Sequence, residues 1–176
     1  MKEKKKFLQN LLFCSIFYVC CIGPSLGQEK VNISAGLGLP EMLNLGLHFQ
    51  QDQVQIGFSV GTMPLDGESI ISVSGDMYYH FAGSSVLSNR RPWYGRAGLN
   101  YLRNETNNFI DKYIYLNLRI GRDFNISEKF GINFDAGAIF ELYNEEIRKV
   151  PPSGWNIDIN FPVLPALGLR FFYRLS

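Results

Sequence analysis

His48 and His80 are the two histidines of the chain, and a histidine within reach of a serine and a carboxylate is the minimum equipment for acyl-transfer chemistry. Asp76 lies four positions before His80 in GDMYYH, with Ser72 and Ser74 just upstream. A second set of residues is ionic: Arg96, Arg119, Arg170 and Arg174 against Asp76, Asp123, Asp135 and Glu141. Near-equal numbers of each sign suit a self-neutralising cluster or, alternatively, a gated ion path. No P-loop, dinucleotide fingerprint, zinc-ligand spacing or nucleophile elbow occurs. A formal net charge of +1 provides no field for nucleic acid.

What these side chains can do depends on the elements that carry them. Residues 1–27 read as a cleavable signal peptide: a head with Lys2, Lys4, Lys5 and Lys6, an apolar stretch from Phe7 to Ile22, and small residues at Ser25 and Gly27 ahead of Gln28. Cys14, Cys20 and Cys21 all lie within it, so residues 28–176 offer no disulfide, thiolate ligand or cysteine nucleophile. The rest is expected to be one domain.

That domain alternates with a period of two, which predicts eight strands: 31–39, 42–50, 53–61, 69–81, 92–102, 113–124, 130–143 and 163–176. One register is apolar throughout, for example Leu43, Leu45, Leu47, Phe49 or Ile114, Leu116, Leu118, Ile120. The other holds His48, Asp76, His80, Arg96, Arg119, Asp135, Arg170, many amides and serines, and a crowd of glycines.

A soluble sandwich or lipocalin-like barrel would put the apolar register inside. Three features argue for the reverse. After residue 28 lysine occurs only at Lys30, Lys112, Lys129 and Lys149, at strand ends or in loops, whereas a strand face in water recruits long charged side chains. The polar register carries Gly36, Gly38, Gly46, Gly57, Gly61, Gly98, Gly121, Gly131, Gly137 and Gly168, which suits the cramped interior of an eight-strand tube. The apolar register turns aromatic at one level of the meander: Phe49, Tyr79, Phe81, Trp93, Phe124, Phe130, Phe171 and Tyr173. Such a girdle is what a bilayer interface selects. The fold class is therefore all-β, an eight-stranded antiparallel up-and-down transmembrane β-barrel, since strands in lipid must close.

Both termini fall at the aromatic rim, the periplasmic side in the usual topology. Turns 51–52, 82–91 and 125–129 lie there; connections 40–41, 62–68, 103–111 and 144–162 lie opposite. Two lengths run against expectation, a long AGSSVLSNRR on the periplasmic side and a two-residue Pro40-Glu41 on the outer side.

The chain from residue 28 onward resembles the small eight-stranded outer-membrane β-barrel family of Gram-negative bacteria. Gly168-Leu169-Arg170-Phe171-Phe172-Tyr173 is similar to the terminal signal read by the barrel-assembly machinery, with Ala166 in place of a polar residue and Arg174-Leu175-Ser176 in place of a terminal aromatic. The resemblance implies outer-membrane location, lipid around the barrel and the assembly machinery as a partner. It leaves activity open, because members include anchors, adhesins and lipid-modifying enzymes. Enzymes of lipid A on this scaffold use His with Ser and acidic partners near the outer leaflet, whereas His48 and His80 are placed at the periplasmic end.

The expectation is thus a non-enzyme of the cell envelope with a plugged polar interior and no catalytic, cofactor or metal residues, acting structurally or through surface contacts. Loop 144–162, with Glu145, Glu146, Pro151, Pro152 and Trp155, is the candidate contact surface. The alternatives are an envelope-lipid-modifying enzyme and a small channel.

Overall fold

The structure, a computed structural model, describes residues 30–65, 67–149 and 163–175. The predicted signal peptide and most of loop 144–162 lie outside them. Eight strands follow in order: β1 Lys30–Gly38, β2 Met42–Gln51, β3 Val54–Leu65, β4 Glu68–Ala82, β5 Trp93–Thr106, β6 Phe109–Asn125, β7 Phe130–Arg148 and β8 Val163–Arg174. Each pairs antiparallel with its sequence neighbour, and β1 pairs with β8 through Ala35 opposite Phe171 and Gly38 opposite Gly168, closing the barrel. Both uncertain-looking connections keep the meander: Gly38 faces Met42 and Ala82 faces Trp93.

The strands outrun their predicted ends on one side. Connections expected at 62–68 and 103–111 are mostly ladder, with Leu65 opposite Glu68 and Glu105 opposite Ile110. The expected loop from Asn144 likewise begins as strand, Asn144 facing Tyr113 and Glu146 facing Asp111. Alternation of apolar and polar types fails there, where Asp111 and Lys112 on β6 and Glu145 and Glu146 on β7 occupy successive positions. Cross-strand ion pairs take over instead: Lys112 to Glu145 at 3.0 Å and Lys149 to Glu105 at 2.7 Å.

The two registers sort as predicted. Leu45, Phe58 and Leu118 are 65%, 58% and 45% exposed, while Arg119 and Asp135 are 3% and 0%. Phe49, Tyr79, Phe81, Trp93, Phe124, Phe171 and Tyr173 all face outward at one end of the barrel, and Phe130 stacks on Phe171. In water each such Leu or Phe would forgo about 1.5–3 kcal/mol of burial. Such an exterior is matched to apolar surroundings.

Several large inward side chains of the interior stand opposite a glycine on the next strand. Gly98 lies opposite Asp76, and a Cβ there would sit 2.0 Å from Asp76 Oδ1. Gly36 opposite Arg170 and Gly168 opposite Asp135 would clash in the same way, at 2.1 and 2.5 Å. Glycine weakens a strand, and here the space it leaves is what admits the charges.

Candidate functional site: the ion cluster in the lumen

The period-two register carries Asp76 on β4, Arg96 on β5, Arg119 on β6, Asp135 on β7 and Arg170 on β8 to one level inside the barrel. Arg96 Nη2 donates to Asp76 Oδ2 at 2.6 Å and Nη1 to Asp135 Oδ2 at 3.4 Å. Arg119 Nη1 donates to Asp135 Oδ1 at 2.9 Å, and Arg170 Nη2 to Asp135 Oδ2 at 2.7 Å. One carboxylate, Asp135, thus receives three guanidiniums.

The balancing acid is Glu41, which sequence reasoning had placed in an outer turn. The turn between β1 and β2 folds into the lumen, leaving Glu41 2% exposed. Arg119 Nη2 donates to Glu41 Oε1 and Oε2 at 2.9 and 2.8 Å and to the Leu39 carbonyl at 2.5 Å, and Arg96 also bonds Glu41. Space for this comes from Gly61 of β3, where a Cβ would lie 1.9 Å from the Glu41 carbonyl oxygen. Glu141, the acid predicted for this role, stands partly exposed across from Tyr115, next to a bulge in the β6–β7 ladder. The connection is short because it turns inward.

The long connection after β4 has a matching explanation. Its Arg90 enters the lumen from the aromatic end, where Nη2 lies 2.5 Å from Asp123 Oδ2 and Nη1 donates to Gln50 Oε1 at 2.8 Å. Arg90 and Arg174 lie over the Phe172 ring, 5.2 and 4.8 Å from its centroid. Arg174 also donates to the Asn125 side chain and the Glu128 carbonyl, at 2.5 and 2.7 Å. Arg174 and Asp123, predicted as cluster members, therefore belong to this second group at the mouth.

Toward the other end the lining becomes apolar. Ile70, Leu102, Tyr115, Ile139 and Ala166 form a small buried cluster, with Met42, Met63 and Tyr113 against it. The predicted polar interior is thus polar only from the mouth to the level of Asn100 and Asn117, both fully buried. Sequence alternation gave no warning, because these inward residues sit where the apolar count is high on both faces.

The candidate catalytic residues are dispersed. Ser34 Oγ and His48 Nε2 lie 2.8 Å apart, but His48 Nδ1 has no partner among the described residues, so no carboxylate orients the ring. Asp76 is committed to Arg96, and His80 Nδ1 bonds the Arg91 carbonyl oxygen at 2.8 Å. The histidines instead end a ladder of rings: His48 meets Tyr78 at 5.5 Å, Tyr78 meets Tyr94 at 5.5 Å, and Tyr94 meets His80 at 5.2 Å. Tyr94 donates to Asp135 Oδ2 at 3.2 Å and the Tyr78 hydroxyl accepts from Arg170 at 2.7 Å. Both tyrosines were missed, although they share a register with Asp76, His80 and Arg96. No group of His, Cys, Asp and Glu suited to a metal ion occurs among the described residues, since arginines separate the carboxylates.

No family model and no curated protein matches the sequence. Among solved structures the chain is similar to the crystal structure of Acinetobacter baumannii CarO, with a TM-score of 0.46 and 12% identity over 82% of this chain and 96% of that one. That likeness transfers no residue role to this chain.

Proposed function

We propose that this chain is an outer-membrane barrel that seals its own lumen and serves as a rigid mount for its outer strand ends at the cell surface. The observation that carries the reading is the inversion of faces: an apolar, aromatic-rimmed exterior around three carboxylates and three guanidiniums that neutralise one another, Glu41, Asp76 and Asp135 with Arg96, Arg119 and Arg170. Among the described residues this cross-bracing fills the lumen, and Ser34 and His48 are both buried. The chemistry it supports is mechanical. Above the belt, the ion-paired ends of β5, β6 and β7 form the surface offered to contact partners, and the segment from Gly168 to Tyr173 is the part for the barrel-assembly machinery to recognise.

The test is fractionation of expressing cells combined with gel mobility before and after boiling. A closed barrel runs fast unheated and slow once boiled, and fractionates with outer-membrane markers. A chain that purifies without detergent would overturn the reading. Discrete conductance steps in planar bilayers would favour a channel, and an altered lipid A acyl pattern abolished by His48→Ala would favour an enzyme.

A further inference from the structure

On the belt, outward residues of neighbouring strands form two rows: Tyr79, Gly95 and Ile120, then Met77, Ala97 and Leu118. Because β5 contributes only Gly95 and Ala97, its line is sunk between the large side chains of β4 and β6. A Cβ added at Gly95 would meet nothing within 4 Å. The resulting furrow of about 620 Å³ continues across Ala136 and Ala138 of β7. It is apolar, spans β4 to β7 and opens sideways, where hydrocarbon would be.

Near its aromatic end stands Trp93, with Arg122 across the ladder and Arg91 two residues before it in the chain. Arg122, the cross-strand partner of Trp93, points outward with its guanidinium 5.3 Å from the Trp93 ring centroid and 5.2 Å from that of Phe124. Arg91, two residues before Trp93, is held by Nη1 on the Phe81 carbonyl at 2.9 Å. Both are exposed. Arg90, Arg96, Arg103, Arg119, Arg148 and Arg170 are each ion-paired to a carboxylate. Arg91 and Arg122 have no such pair among the described residues, so their charge faces outward uncompensated.

We propose that this furrow seats one glycerophospholipid, its anionic phosphate on Arg91 and Arg122 and an acyl chain along Gly95 and Ala97. The inference rests on the membrane-spanning reading above. An aromatic interface with fixed guanidiniums is the level at which a lipid phosphate resides, and the furrow below is the shape of a chain rather than of a globular partner. A second copy of the barrel is the rival occupant. Two copies inserted in the same direction and joined at this face would bring four arginines to one level without a carboxylate between them, which disfavours it. In the proposed topology this end faces the periplasmic leaflet, the one composed of glycerophospholipid.

The chain has two tryptophans, Trp93 and Trp155, so Trp155→Phe leaves Trp93 as a local reporter. This variant is reconstituted into phosphatidylcholine vesicles containing brominated phosphatidylglycerol or, in parallel, brominated phosphatidylcholine, and quenching is followed against lipid fraction. Phosphatidylglycerol should be preferred by about fivefold for each arginine that reaches the phosphate. The preference should fall to near unity in Arg91→Gln/Arg122→Gln, while Ala97→Leu, which fills the furrow, should lower quenching by either lipid. Equal quenching by the two lipids without the arginine changes would overturn the site while leaving the membrane reading intact. No quenching by either would overturn the membrane reading itself. Loss of quenching as protein concentration rises, with a cross-linked dimer, would assign the face to a second copy.

Discussion

Glu41 and Arg119 are 78 positions apart in sequence, yet they meet at 2.8 Å near the axis of the barrel, where both side chains are buried. One comes from a turn and the other from the middle of a strand. Their contact fixes the turn between β1 and β2 as an internal brace rather than a surface loop.

Removing that brace should be costly. Glu41→Gln leaves Arg96 and Arg119 short of one carboxylate in the interior, and breaking a buried pair from one side typically costs about 3–5 kcal/mol. Glu141→Gln, at the partly exposed site where the balancing acid was expected, should cost within about 0.5 kcal/mol. Urea unfolding of the two variants in lipid vesicles, followed by tryptophan emission, measures the difference. Equal stabilities would mean that Glu41 does not brace the lumen.

Substitution of the interior glycines should block closure where substitution outside does not. A Cβ at Gly98 would lie 2.0 Å from Asp76 Oδ1 and 2.7 Å from the Gly75 carbonyl, whereas one at Gly95 meets nothing within 4 Å. Gly98→Val should lose the fast-migrating unheated band, and Gly95→Ala should retain it. The two glycines are three positions apart on one strand, an odd spacing that puts them on opposite faces.

Charge on the belt distinguishes lipid from water outside. Leu118 is 45% exposed on the outer face, and Leu118→Arg should destabilise the barrel by about 2–4 kcal/mol if that face lies near the bilayer midplane. At a water-exposed position the same change would be almost neutral. Unfolding titrations in vesicles read the sign directly.

Beyond the belt, pH should act on the outer strand ends in two directions. The Lys149 ammonium, by its hydrogen bond to Glu105 and then by its charge, holds that carboxyl below the ordinary range. A depressed folded value means that the contribution is present above the unfolded value and fades as pH falls through the folded one, and partial exposure keeps it small. Asp111 is pushed up, by burial first and by Glu146 second, so its protonation relieves a cost as pH falls. Carboxyl-resolved NMR titration should find the Glu105 midpoint below that of Asp111, and Lys149→Ala should raise Glu105 while leaving Asp111 in place.

Much of this molecule is legible in one dimension because a strand has a period of two and a barrel has two solvents. With lysine confined to strand ends and loops and glycine abundant in the polar register, Leu45, Phe58 and Leu118 face out and Arg119 and Asp135 in. The same rule carried the cluster residues Asp76, Arg96, Asp135 and Arg170 to one another. It also contained Tyr78 and Tyr94, whose aromatic character disguised their inward register.

The remainder was decided in three dimensions. Glu41 and Arg90 lie outside the strands, where no periodicity says which way a side chain points, and both turn inward because unpaired charge in the lumen is more costly than ordering a loop. The ladders of β5, β6 and β7 extend past the belt through cross-strand charge pairs, a signal that depends on which residue stands opposite. Sequence assigns each strand its two faces by local sterics; only the closed barrel decides which charges meet, because that depends on register between strands and on how much volume the glycines leave free.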